Sequence, residues 1–216
     1  MRVEVPYLKR TVTIDLPEGS LVVEPNDVEA AADPAALVRE SVARPVGSAP
    51  LERFLAGAPR GGVLVIVNDA TRPTPTRAVL EAIGDDLERA GARFIVATGA
   101  HRAPTEDEYR QILGPLYERL RPRTTAHAAR DAASLVDLGK TRNGTPILLN
   151  RAVLEADRIM AIGSVEPHYF AGYTGGRKAF LPGVAGYATI EANHKLALDP
   201  RAVSLALDDN PVSQDM

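Results

Sequence analysis

Residues 62–69 read GVLVIVND, an unbroken apolar run from Val63 to Val67 closed by two polar residues. A strand with one wet face would alternate apolar and polar residues. Continuous apolarity instead marks a strand buried on both faces of a parallel sheet. Downstream, RAVLEAIGDDLERAG (77–91) carries apolar residues at helical spacing, and RFIVATGAH (93–101) is a second buried strand. TEDEYRQILGPLYERL (105–120) predicts a helix, with Thr105 and Glu108 in capping-box positions. SLVDLG, PILLN and RIMAIGSV (158–165) are further strand candidates. Upstream, RVEVPY and TVTIDL predict a small antiparallel β element, closed by Pro17-Glu18-Gly19 and leading into LVVEP. DPAALVRESVARP predicts a helix capped by Asp33, and LERFLAGAP a short one ended by Gly57 and Pro59. Strands alternating with helices predict an α/β domain: a mostly parallel sheet with helices on both faces.

Composition narrows the function. The 216 residues suit one α/β domain, or one and part of a second. Charge is nearly balanced, 25 basic against 28 acidic with net −3, so nothing marks a nucleic-acid surface. No window has the roughly 18 apolar residues of a membrane helix, and MRVEVPYLKR lacks the apolar core of a secretory signal. These features predict a cytoplasmic protein. Without cysteine, protein-derived metal ligands must be nitrogen or oxygen. At NPVSQDM, Asn210 and Pro211 look like the start of a helix with little room to continue, which predicts a chain cut short.

Each long apolar run ends in polar residues. The first leads into Asp69, Thr71 and Arg72, the second into His101 and Arg102, the third into Glu166 and His168. In an open parallel sheet the carboxyl ends of strands share one edge, where ligands bind, so these segments should converge. Asp69-Ala-Thr-Arg could be a plain strand-to-helix turn. Read as a site, Arg72 offers a planar fork for a carboxylate or phosphate, oriented by Asp69. A lone loop histidine is more often merely exposed. His101 and His168 together at one sheet edge suit an acid/base pair, since imidazole titrates near operating pH.

Between Gly163 and His194 glycines crowd the chain, at 172, 175, 176, 183 and 186. They let the backbone turn sharply and approach a ligand at an entropic cost. Gly175-Gly176-Arg177-Lys178 is not a P-loop, because Arg177 precedes the lysine and Ala179 follows it. Lys178 suits a phosphate-binding cation or, if desolvated, an amine nucleophile. His194 lies in YATIEANHKLALD, a predicted helix, where one histidine is usually structural; His127 reads as structural or surface.

DATRPTPT, GAHRAPTEDEY and EPHYFAGYTGGRKAFLPGVAGYATIEANH, in that order, resemble the signature segments of the nickel-pincer lactate racemase family. The resemblance covers roughly residues 62–216. It implies a Rossmann-like N-terminal cofactor-binding and catalytic domain, without the family's C-terminal portion. It further implies a nickel-pincer nucleotide, a pyridinium-3-thioamide-5-thiocarboxylic acid mononucleotide holding nickel, joined covalently to Lys178. By motif position, His194 would ligate nickel and His101 and His168 would be the acid/base pair. Asp69, Thr71 and Arg72 would belong to the anion-binding segment, and Gly175 and Gly176 would admit the cofactor phosphate. The implied activity is racemisation or epimerisation of a small 2-hydroxy acid by proton-coupled hydride transfer through a 2-keto acid. Cofactor-synthesis enzymes would be partners. Epimerisation of a sugar acid at the same site, or a non-catalytic nucleotide-binding module, are the alternatives.

Overall fold

A computed structural model describes residues 1–8, 10–23, 28–58 and 62–216. The chain divides into two compact units, Met1–Ala32 and Asp33–Met216. In the first, β1 (Arg2–Tyr7) and β2 (Arg10–Asp15) pair antiparallel, with Arg2 opposite Asp15. Residues 21–23 of the LVVEP stretch are not strand; its end, Glu24 and Pro25, lies outside the described residues, as does the helix stop expected at Pro59.

The second unit holds the sheet. Asp33 caps α1 (Pro34–Ala43) by accepting the Ala36 N–H at 2.8 Å, and α2 (Leu51–Ala56) follows. Then come β3 (Val63–Asn68), α3 (Thr76–Arg89) and β4 (Arg93–Ala97). The expected capping box starts α4 (Glu106–Leu113). The single helix expected over 105–120 is broken, however. Gly114 adopts φ 56° and Pro115 follows, so the chain restarts in short turns and α5 (Tyr117–Leu120). Proline lacks the N–H that would continue the ladder and restricts the residue before it.

Next are β5 (Thr124–Ala126), β6 (Leu135–Lys140), β7 (Pro146–Asn150), α6 (Arg151–Leu154) and β8 (Arg158–Ile162). β5, β4, β3 and β8 lie side by side in that order, all parallel, with Val65 between Phe94 and Met160. β6 and β7 are strands as expected, but form a separate antiparallel hairpin. β5 was not expected, since three residues starting with two threonines carry no apolar run.

The two faces of β3 are filled differently. Val63, Val65 and Val67 pack with Phe94 of β4, with Leu80, Ile83 and Leu87 of α3, and with Ile112 and Leu113 of α4. Leu64, Ile66 and Ile95 face Val153 of α6 and Val184 of the glycine-rich segment. Each such side chain, fully buried, contributes about 1.5–3 kcal/mol. Helices therefore cover one face, while α6 and the glycine-rich segment cover the other. That segment includes the two-residue strands β9 (Pro167–His168) and β10 (Gly172–Tyr173), and leads to α7 (Tyr187–Lys195). A final turn of helix, α8 (Pro211–Asp215), is capped by Asn210, as its sequence predicts.

His127, at the end of β5, is structural. It is buried, its Nε2–H donates to the Ala185 carbonyl at 2.8 Å, and its Nδ1 accepts from Asn150 Nδ2 at 3.2 Å. Burial lowers its pKa and keeps it neutral, so it ties the sheet to the glycine-rich segment.

Candidate functional site

Because β3, β4 and β8 are parallel, their carboxyl ends open onto one edge, and the glycine-rich segment folds over it. Between them lies a cavity of about 560 Å³, within the range of small-molecule sites. Asp69, Arg72, His101, His168, Gly175, Gly176, Lys178 and His194 all line it. Thr71 does not; it lines a smaller pocket beyond Asp69.

At the end of β3 the buried Asp69 carboxylate is fully engaged. Its Oδ1 accepts the Thr71 hydroxyl at 2.6 Å and the Thr71 N–H at 3.1 Å; its Oδ2 accepts His101 Nδ1–H at 2.6 Å. Thr71 thus acts through Asp69. The carboxylate fixes the His101 tautomer and leaves Nε2 as that ring's free lone pair. His101 reaches this point by a tight turn, in which its N–H donates to the Thr98 carbonyl at 2.9 Å. Gly99, at φ 54°, donates its N–H to the Gly183 carbonyl at 3.0 Å and fastens this loop to the glycine-rich segment.

At the end of β8, the β9–β10 pair presents His168 opposite Gly172. Gly172 has φ 76°, and a Cβ there would stand 1.9 Å from the Ala206 carbonyl oxygen, so only glycine fits. His168 Nδ1 accepts the Ala171 N–H at 3.2 Å, and its Nε2 lies 3.3 Å from Lys178 Nζ. The His168 ring meets Phe170 edge-on at 4.6 Å, and Phe170 meets His194 edge-on at 5.1 Å. His194 Nδ1 is buried with no hydrogen-bond partner among the described residues.

The electrostatics are lopsided. Burial, then the positive charge of Lys178, pushes His168 down to about 4. Burial, then Arg177 and Arg72, brings Lys178 down to about 8. Burial, then Lys178, also lowers His194. Arg72 has no ion-pair partner among the described residues. Arg177 donates from Nη2 to the Ala171 carbonyl at 2.8 Å, while its buried Nε has no partner. Arg72 and Lys178 border the cavity, while His168 and His194 are shifted toward their neutral forms. Of the two lining carboxylates, Asp69 is engaged by His101 and Glu166 lies exposed. The unpaired Arg72 is therefore the group placed to take an anion.

Sequence reasoning missed two contributors. Arg177 was noticeable beside Lys178, but its burial depends on the tertiary fold. Phe170, which links His168 to His194, carries no sequence signal beyond its place in the glycine-rich segment. Among the described residues no group of three or more His, Cys, Asp or Glu side chains could hold a metal. His194 could serve only as one donor to a metal that brought its others. Among the described residues no helix is long and apolar enough to cross a membrane.

A family model described as the lactate racemase N-terminal domain matches residues 7–204. A lactate racemase of Thermoanaerobacterium thermosaccharolyticum is 31% identical over 225 residues, 99% of this chain and 52% of that protein. A lactate racemase of Lactiplantibacillus plantarum is 32% identical over 224 residues, with the same coverage of 99% and 52%. The structure of the T. thermosaccharolyticum lactate racemase apoprotein superposes with a TM-score of 0.83 at 29% identity, covering 100% of this chain and 52% of that one. A Thermotoga maritima protein shares the fold at a TM-score of 0.67 and 23% identity, over 86% of this chain and 47% of that one. The chain thus spans about half the length of the curated relatives it matches.

Proposed function

The chain belongs to the lactate racemase N-terminal domain family, and from that membership we propose that it is the cofactor-binding and catalytic part of a racemase or epimerase. Its substrate would be a small 2-hydroxy acid, lactate being the first candidate, and its cofactor a nickel-pincer nucleotide attached at Lys178. One observation carries the reading: His101, His168, Lys178 and His194 border a single cavity although they come from separate loops and a helix.

The residues fit such a cofactor. Lys178 is held near 8, so a useful fraction is free amine at neutral pH. His194 offers one imidazole, which suits a metal whose remaining donors are organic. The bound cofactor would supply a hydride acceptor that no side chain can provide.

The chain's own groups handle protons and charge. Arg72 pairs with the substrate carboxylate. His101, with Nδ1–H given to Asp69, has Nε2 free to take a hydroxyl proton. His168, with Nδ1 occupied by the Ala171 N–H, carries its proton on Nε2 and offers it as a hydrogen bond to the substrate oxygen. Two imidazoles on one cavity match inversion of a hydroxyl-bearing carbon, in which one ring takes the hydroxyl proton and the other, once protonated, returns one.

The test is intact-protein mass with nickel analysis, on full-length protein made together with the cofactor-synthesis enzymes. The expected result is an adduct on Lys178, about one nickel per chain, and loss of both in Lys178→Ala. An unmodified, nickel-free chain under conditions that load a relative would favour a non-catalytic nucleotide-binding module.

A further inference from the structure

The contact between His168 and Lys178 has chemical content apart from substrate turnover. Nδ1 of His168 accepts the Ala171 N–H at 3.2 Å, with the Phe170 N–H at the outer limit of 3.5 Å. A neutral imidazole has one lone-pair nitrogen, so the ring proton sits on Nε2. Nε2 is 3.3 Å from Lys178 Nζ. An ammonium group has three donors and no acceptor, so it cannot receive Nε2–H, whereas a neutral amine can.

The surroundings favour the same state. The Phe170 ring face, 5.7 Å from Nζ, is the exception and favours the ammonium form. The charged groups acting on it are Arg177 and Arg72, and both lower its proton affinity. His194 and His168, the titratable groups nearby, are themselves shifted toward their neutral forms. The cavity's buried carboxylate, Asp69, is committed to His101 and Thr71.

We infer that His168 has a task before any turnover: in the unmodified chain its Nε2–H orients Lys178 as a neutral amine, ready to accept an acyl or thioacyl group. This rests on the reading above in that it concerns how Lys178 comes to be modified. The donor class is an activated acyl or thioacyl compound carrying its own leaving group. The one Nζ lone pair turns from the His168 Nε2–H to the acyl carbon and forms the new bond, the bond to the leaving group breaks with its electron pair, and one Nζ proton passes to solvent. Nothing is oxidised or reduced. His168 is a positioning residue in this step, since its Nδ1 lone pair is engaged and Nε2 already bears a proton.

The probe is trace acetylation by N-acetoxysuccinimide of cofactor-free full-length protein between pH 6 and 9, read lysine by lysine by mass spectrometry. The exposed Lys140 and Lys195 are internal references. At pH 7 Lys178 should acetylate at least about tenfold faster than Lys140, since a lower pKa multiplies its free-amine fraction more than burial slows its access. His168→Leu should slow Lys178 by about fivefold relative to Lys140, the worth of one net hydrogen bond. His168→Gln, whose amide N–H restores a donor, should recover the rate. Circular dichroism and an unchanged Lys140 rate show that the variants are folded. Equal rates at Lys178 and Lys140 in the parent, or no change in a folded His168→Leu, overturn the inference. Fast acetylation with no nickel adduct after loading would sink the cofactor reading and leave this one standing. Slow acetylation with a normal adduct would do the reverse.

Discussion

Asp69→Asn tests the acid/base assignment most directly. The carboxylate receives three hydrogen bonds, and the shortest side-chain pair, at 2.6 Å, includes His101 Nδ1–H. Asparagine preserves volume and can still accept from Thr71 with its amide oxygen. Its NH₂ group then faces His101 Nδ1. That donor needs an acceptor, so the ring must move its proton to Nε2, and the lone pair facing the cavity is lost. A hydrogen bond to a charged group is worth about 1.5–3 kcal/mol, which as lost transition-state stabilisation is roughly 10- to 150-fold in rate. Serine proteases, where the equivalent change leaves the wrong tautomer, lose roughly 10⁴-fold, which bounds the effect from above. The assay is kcat for racemisation by the loaded full-length protein, with the Lys178 adduct quantified to show equal loading. Nitrogen-15 correlation spectra should report His101 as the Nδ1–H tautomer in the parent and Nε2–H in the variant. A fully loaded variant whose kcat stays within twofold of the parent would refute the dyad.

The structure makes further predictions. Thr71→Ala removes one of the Asp69 donors without touching the cavity, so kcat should fall only a few-fold, with KM for the 2-hydroxy acid unchanged. Lys178→Met should raise the melting temperature of the cofactor-free chain by about 2–4 °C, because a buried amine held near 8 rather than 10.5 costs stability at neutral pH. His168, held near 4 against an ordinary 6.5, contributes stability that is present above pH 6.5 and lost as pH falls toward 4. The urea midpoint should accordingly drop across that window, and less so in His168→Gln. Gly172→Ala places a Cβ 1.9 Å from a backbone oxygen at φ +76°, so thermal denaturation should show a loss of roughly 2 kcal/mol or more.

What sequence alone determined about this protein is what depends on neighbours within a few residues or on an unbroken pattern. The apolar runs of β3, β4 and β8 were legible because a strand buried on both faces has no room for polar residues. The caps at Asp33, Thr105 with Glu108, and Asn210 were legible because each closes a hydrogen bond two or three residues away. Parallel strands also predicted that Asp69, His101 and His168 would share an edge, and they line one cavity. Tertiary structure alone decided what crosses between segments. Three residues of β5 become strand only because β4 offers an open edge, and β6 and β7 leave the main sheet to pair with each other. The Asp69–His101 bond spans 32 positions, and the contact between His168 and Lys178 requires the chain to double back through the β9–β10 pair. The depressed proton affinities of Lys178 and His168 follow from burial beside Arg177 and Arg72. Burial belongs to the folded whole, because water is excluded only when distant segments close over the same space.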